Sequence, residues 1–105
     1  MDKLKPSELL RLGAQQVKHT KNSYFKCEGD RRNPEDAKVT AACALGMIAV
    51  ACAGSTNYKQ CCEELSKVID RLRENKVGYV HVEWLNDEEN KTPEEISRYL
   101  EDRGA

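Results

Sequence analysis

Apolar residues recur along this chain at helical spacing in several separate blocks, each with its own start or stop signal. Leu10, Ala14 and Val17 follow Pro6-Ser7-Glu8 and predict a first helix over about residues 6–18. The polar stretch His19 to Arg32, broken by Gly29, predicts a loop with one short extended piece around Tyr24, Phe25 and Cys27. Asn33-Pro34-Glu35-Asp36 offers a capping side chain, a proline with fixed φ and acids beside the positive end of a helix dipole. It predicts a second helix over about 34–53, closed by Gly54, which lacks the Cβ that disfavours the left-handed residue after a helix. Tyr58, Cys61 or Cys62, Leu65, Val68, Ile69 and Leu72 form the stripe of a third helix after the polar turn Ser55-Thr56-Asn57. Val77 to Leu85 is rich in β-branched and aromatic residues, as in a strand or an extended connection, and its only visible partner is the piece near Tyr24 to Glu28. Thr92-Pro93-Glu94-Glu95 has capping-box spacing and opens a last helix over about 93–102, with Ile96, Tyr99 and Leu100 on one face.

These elements predict a mainly α fold: a single domain over residues 1–105, a bundle of about four helices around a buried, Ala- and Cys-rich central helix, with at most a small two-stranded β ribbon. No charge occurs from Val39 to Tyr58, which marks the second helix as the buried one. Its strongly apolar part, Val39 to Ala53, is shorter than the roughly 18 residues a membrane span needs. No membrane partner is expected.

Length and charge narrow the classes further. A chain of 105 residues suits one core, and 17 Lys and Arg against 18 Asp and Glu make no broad field for a polyanion, so nucleic acid is a poor partner. A helix-turn-helix built from the second and third helices would turn acidic at Glu63-Glu64, where a DNA reader carries basic residues. The acids concentrate towards the end: Tyr79 to Ala105 holds eight acids against three basic residues, whereas Met1 to Asp36 is basic by two. A solvated face or the steering of a basic partner would both produce this asymmetry.

The five cysteines, Cys27, Cys43, Cys52, Cys61 and Cys62, are an odd number, which points to reduced thiols, and the start of the chain lacks the apolar stretch of a secretory signal. A cytoplasmic setting is expected. The cysteine spacings form no paired knuckles and the two histidines lie far from them, so neither a metal nor another cofactor is expected. Cys52 and one of Cys61 and Cys62 are expected as small buried hydrophobes.

Three constellations are candidates for chemistry. Ala42, Gly46 and Ala49 form a stripe of small residues that would admit a neighbouring backbone or a ligand. Cys43, His81 and Asn86 or Asp87 occur in the order used by papain-like cysteine hydrolases and transferases. The predicted helix places Cys43 about two turns inside, where the dipole does little for a thiol. Trp84 is a candidate core anchor, with Asn86 and Asp87 making side-chain to backbone bonds of a turn or lining a ligand pocket.

The order of Tyr24-Phe25, Gly29, Pro34-Glu35-Asp36-Ala37, Cys43-Ala44-Leu45-Gly46, Trp84-Leu85-Asn86-Asp87 and Thr92-Pro93-Glu94-Glu95-Ile96 resembles a family of small uncharacterised proteins of bacteria and their phages. The likeness covers about residues 24–101, with Leu85 standing between Trp84 and Asn86 where the family pattern has them adjacent. It implies a phage or prophage accessory setting and marks Cys43, Gly46, Asn86 and Asp87. Together these features lead to the expectation of a noncatalytic protein that binds a protein partner or small ligand through Cys43, Gly46, Trp84, Asn86 and Asp87. The alternative is a small thiol enzyme using Cys43, His81 and Asn86.

Overall fold

The structure is a computed structural model that describes residues 4–29, 32–33 and 36–105. The described residues form five helices and three strands: α1 (Pro6–Gln16), β1 (Lys18–His19), β2 (Phe25–Glu28), β3 (Lys38–Ala42), α2 (Ala44–Ala53), α3 (Tyr58–Glu74), α4 (Tyr79–Asp87) and α5 (Pro93–Asp102). The mainly helical expectation stands. The count of four helices gives way to five, and the two-stranded ribbon to a three-stranded sheet.

The start and stop signals act as their chemistry dictates. Pro6 and Pro93 occupy first-turn positions of α1 and α5, where the missing N–H costs nothing. The capping box of α5 is complete: the Glu95 N–H donates to Thr92 Oγ1 at 3.2 Å and the Thr92 N–H to Glu95 Oε1 at 3.1 Å. Asn57 caps α3 by accepting the Gln60 N–H at 3.1 Å. Gly54 closes α2 in the left-handed conformation, with φ 63°.

Two predicted elements are corrected. The helix expected over 34–53 begins only at Ala44, because Lys38 to Ala42 is the central strand of the sheet. β3 pairs in parallel with β1, Lys18 opposite Ala41 and His19 opposite Ala42. On its other side it pairs antiparallel with β2, from Phe25 opposite Ala42 to Glu28 opposite Lys38, with an irregularity at Lys26 and Cys27. Backbone groups paired on two sides outweigh the modest helix preference of Val39-Thr40-Ala41. Of the supposed start signal, Pro34 and Glu35 lie outside the described residues, while Asn33 and Asp36 close a turn in which the Asp36 N–H donates to the Asn33 carbonyl at 3.0 Å.

The second correction concerns residues 77–85. They are not a strand beside Tyr24 to Glu28, whose partner is β3, but the approach to α4 and most of that helix. Val82, Leu85 and Asn86 are buried at i, i+3, i+4 spacing, and that inward face packs on α2. The β preference of valine and aromatic residues yields to this packing.

The central helix is buried as expected, with every residue from Ala44 to Ala51 inside. α1 and α3 pack on it, and α5 packs on α1, where Arg11 grips Glu94 through two bonds of 3.0 Å and also reaches Glu101. Two glycines set how close the neighbours come. A Cβ on Gly13 of α1 would stand 2.0 Å from the Met47 carbonyl oxygen, and one on Gly46 would stand 2.2 Å from the Tyr24 carbonyl oxygen and 2.9 Å from the Ala42 Cβ. The slot that the small-residue stripe offers at Gly46 is therefore filled by the protein's own backbone.

Gly46→Ala forces backbone to move and is expected to lower stability by about 3 kcal/mol. Gly54→Ala meets nothing within 4 Å and bears only the cost of its positive φ, about 1 kcal/mol. Urea midpoints of the two variants check the order; equal losses would contradict the close approach at Gly46.

Candidate functional site

Asn86 near the end of α4 is 1% exposed, and all four hydrogen-bonding positions of its amide are used. Oδ1 accepts the Ala44 N–H at 3.0 Å and lies 2.6 Å from Nε2 of His19. Nδ2 donates to the Thr20 carbonyl at 3.0 Å and to Asp87 Oδ1 at 2.8 Å. Both Nδ2 partners are pure acceptors and Ala44 offers a donor, so the amide orientation is determined, and His19 carries its proton on Nε2. One side chain thus joins the end of β1, the first turn of α2 and α4.

Around this amide the segment between β1 and β2 lies along α4. Asp87 Oδ1 also accepts the Asn22 N–H at 2.9 Å, the Tyr24 hydroxyl donates to Glu83, and Lys21 donates to Asn90 beyond the helix. The Tyr24 carbonyl in turn accepts the Cys43 N–H at 3.2 Å. Asn22, Ser23, Tyr24, Cys43, Glu83 and Asp87 enclose a cleft of about 310 Å³. It is bordered by two carboxylates, a phenol and a thiol. The hydrogen bond to Glu83, with burial second, holds the Tyr24 phenol well above its ordinary pKa, so it stays a hydroxyl donor.

Cys43 occupies a different place from the one its sequence context suggested. It is the capping residue of α2, not two turns inside a helix, because the preceding residues are strand. Its Sγ accepts the Gly46 N–H at 3.5 Å. The side chain is only 4% exposed, and burial pushes its thiol up to about 11, outweighing the Gly46 and Leu45 N–H groups that favour the thiolate. The thiol therefore stays protonated near neutral pH.

The other candidates separate. Asp87 lines the cleft with Cys43, and Asn86 forms its rear support. Their side chains do bond to backbone, yet to remote segments and not within a local turn. Trp84 is not a core anchor, being 44% exposed. The His81 ring stacks on Trp84 at 5.4 Å between centroids and leans on Tyr99 at 5.2 Å, on the side of α4 towards α5. The imidazole that meets Asn86 belongs to His19, which stands out in the sequence only as lying far from the cysteines. Tyr24 as a partner of Glu83 was likewise missed, since no periodicity links positions 59 residues apart. Cys61 is the buried member of the adjacent pair, its thiol donating to the Ser55 carbonyl at 3.3 Å, while Cys62 is exposed and Cys52 half-buried. Among the described residues no group of three or more His, Cys, Asp and Glu side chains converges as a metal site requires, and no helix is long and apolar enough to cross a membrane.

A mainly helical protein with a small mixed sheet and an acidic cleft beside a buried asparagine is the class that fold and site define. Residues 1–103 match the family of unknown function DUF6197, and the chain belongs to that family. No curated protein matches it, and no solved structure does.

Asn86→Ala would leave the Thr20 carbonyl, the Ala44 N–H and the His19 ring without their partner, and a loss of about 3 kcal/mol is expected in urea unfolding. Iodoacetamide labelling of the reduced, native protein at pH 7 should modify exposed Cys62 first and leave Cys43 unmodified until the protein unfolds. Labelling of Cys43 as fast as Cys62 at pH 7 would contradict the protected thiol.

Proposed function

We propose that this is a noncatalytic accessory protein of the phage or prophage type that acts by binding, and that the cleft formed by Tyr24, Cys43, Glu83 and Asp87 is part of its binding surface. The observation that carries this reading is the cleft's placement on a hydrogen-bond network with no unfilled position at Asn86. A recess held by satisfied, buried groups is pre-shaped, and little ordering cost falls on a ligand that enters it. A cytoplasmic setting belongs to the same proposal and is supported by the odd number of cysteines.

A second reading, a small cysteine hydrolase or transferase, draws on the position of Cys43 at the first turn of α2, where N–H groups and the helix dipole favour a thiolate. Two observations weigh against it: burial dominates the thiol, and the His81 ring is engaged by Trp84 and Tyr99. The assay that separates the readings is stopped-flow release of p-nitrophenol from p-nitrophenyl acetate. Wild type and Cys43→Ser are expected to release it equally slowly, without a burst. A burst of one equivalent, present in wild type and absent from Cys43→Ser, would replace the binding reading with the enzyme.

A further inference from the structure

We propose that the outward face of α4, together with Tyr24 beside it, is a docking surface for a basic, partly apolar segment of another protein. This deepens the binding reading above and rests on it. The large hydrophobic side chains found exposed among the described residues are Val80 at 61%, Trp84 at 44% and Tyr24 at 37%. They are not scattered: Val80 and Trp84 are one turn apart on α4, and Tyr24 bonds to Glu83 between them.

Helix geometry sharpens the grouping. Val80, Glu83, Trp84 and Asp87 stand at i, i+3, i+4 and i+7, the spacing of a single face, while Val82, Leu85 and Asn86 take the face turned to the core. α4 therefore has apolar side chains on both faces: the fold covers the inner ones, while on the outer face the 22–24 segment bonds to the carboxylates and leaves Val80 and Trp84 exposed. The outer face pairs each apolar residue with a carboxylate, and both carboxylates also border the cleft of about 310 Å³. Its apolar part suits an aliphatic or aromatic side chain, and its carboxylates suit a cation.

Charge decides the occupant. The face itself carries Glu83 and Asp87, and α4 has no Lys or Arg, so an acidic segment would be repelled. A symmetric second copy would set this same acidic face against itself and is disfavoured for the same reason. Arginine suits the surface better than lysine, because its planar guanidinium binds a carboxylate through two bonds and stacks on an exposed ring. The fold already uses such a contact next door, where the guanidinium carbon of Arg103 lies 3.9 Å from the centre of the Tyr99 ring.

Trp84 is the chain's only tryptophan, so its fluorescence reports on this face. The probes are three helical 12-residue peptides, one of Arg and Leu, one of Glu and Leu, and one of Arg and Ser, titrated into the whole protein. The Arg/Leu peptide should shift Trp84 emission saturably, with binding at least about tenfold tighter than either counterpart. Val80→Ser and Glu83→Gln should each weaken it by about tenfold or more, and added salt should weaken it further. Both side chains lie outside the core, and unchanged urea midpoints would show that the variants fold.

Equal binding of the Glu/Leu or Arg/Ser peptide would overturn the proposed occupant, as would the absence of saturable binding by all three. Binding of the Arg/Leu peptide indifferent to Val80→Ser and Glu83→Gln would overturn the assigned face while leaving the protein a binder. Self-association in sedimentation that disappears in Trp84→Ala would assign the face to a second copy and overturn the proposal. An acyl burst at Cys43 would remove the underlying binding reading, an outcome the peptide titrations do not produce.

Discussion

The amide of Asn86 is the constraint on which the site's geometry depends. A buried primary amide left partly unpaired costs stability, and only an arrangement with two donors and two acceptors around it satisfies this one. His19, Thr20, Ala44 and Asp87 supply them from the end of β1, the start of α2 and α4 itself. The three segments are thereby held in register at one point. The loop from Thr20 to Tyr24 then follows along α4 and makes the wall of the cleft.

Close packing around α2 provides the frame. A helix buried on all sides needs neighbours that come close without polar groups left over, and Gly13 and Gly46 allow backbone to approach backbone on two of those sides. The approach at Gly46 is where the frame and the site meet, because the carbonyl that fills the space belongs to Tyr24, whose hydroxyl reaches Glu83 across the cleft. Packing in the core and the shape of the cleft are thus consequences of the same contact.

The chemistry available in the cleft follows from what is buried and what is not. Cys43 has the helix-start position that favours a thiolate, but desolvation is the larger effect and keeps the proton on sulfur. Asn86 and His19 are joined to each other and to backbone, which makes them supports. Glu83, Asp87 and Tyr24 are the groups that reach the cleft's edge, beside exposed Val80 and Trp84. Carboxylates next to apolar side chains on a held surface suit the binding role proposed above, in which a docked cation would find its partners already in place.

Signals confined to a few adjacent residues were legible in the chain. Pro6, Asn57 and the Thr92–Glu95 box mark helix starts, Gly54 marks a stop, and the uncharged run from Val39 to Tyr58 announces a buried element, because caps and helix dipoles are satisfied within one turn. Asn86 and Asp87 stood out by residue type, and Cys43 by its motif, but their roles did not. Whether Lys38 to Ala42 is helix or strand depends on β1 and β2 being present to pair with it, which no local pattern encodes. Residues 79–87 look like a strand because Val80 and Trp84 are apolar on the outer face as well as Val82 and Leu85 on the inner one, so no single period is visible. The links from Asn86 to His19 and Ala44 span 67 and 42 residues. Sequence alone determined the elements that carry their own caps and stops. The tertiary structure decided those whose partners lie far along the chain, and with them the site.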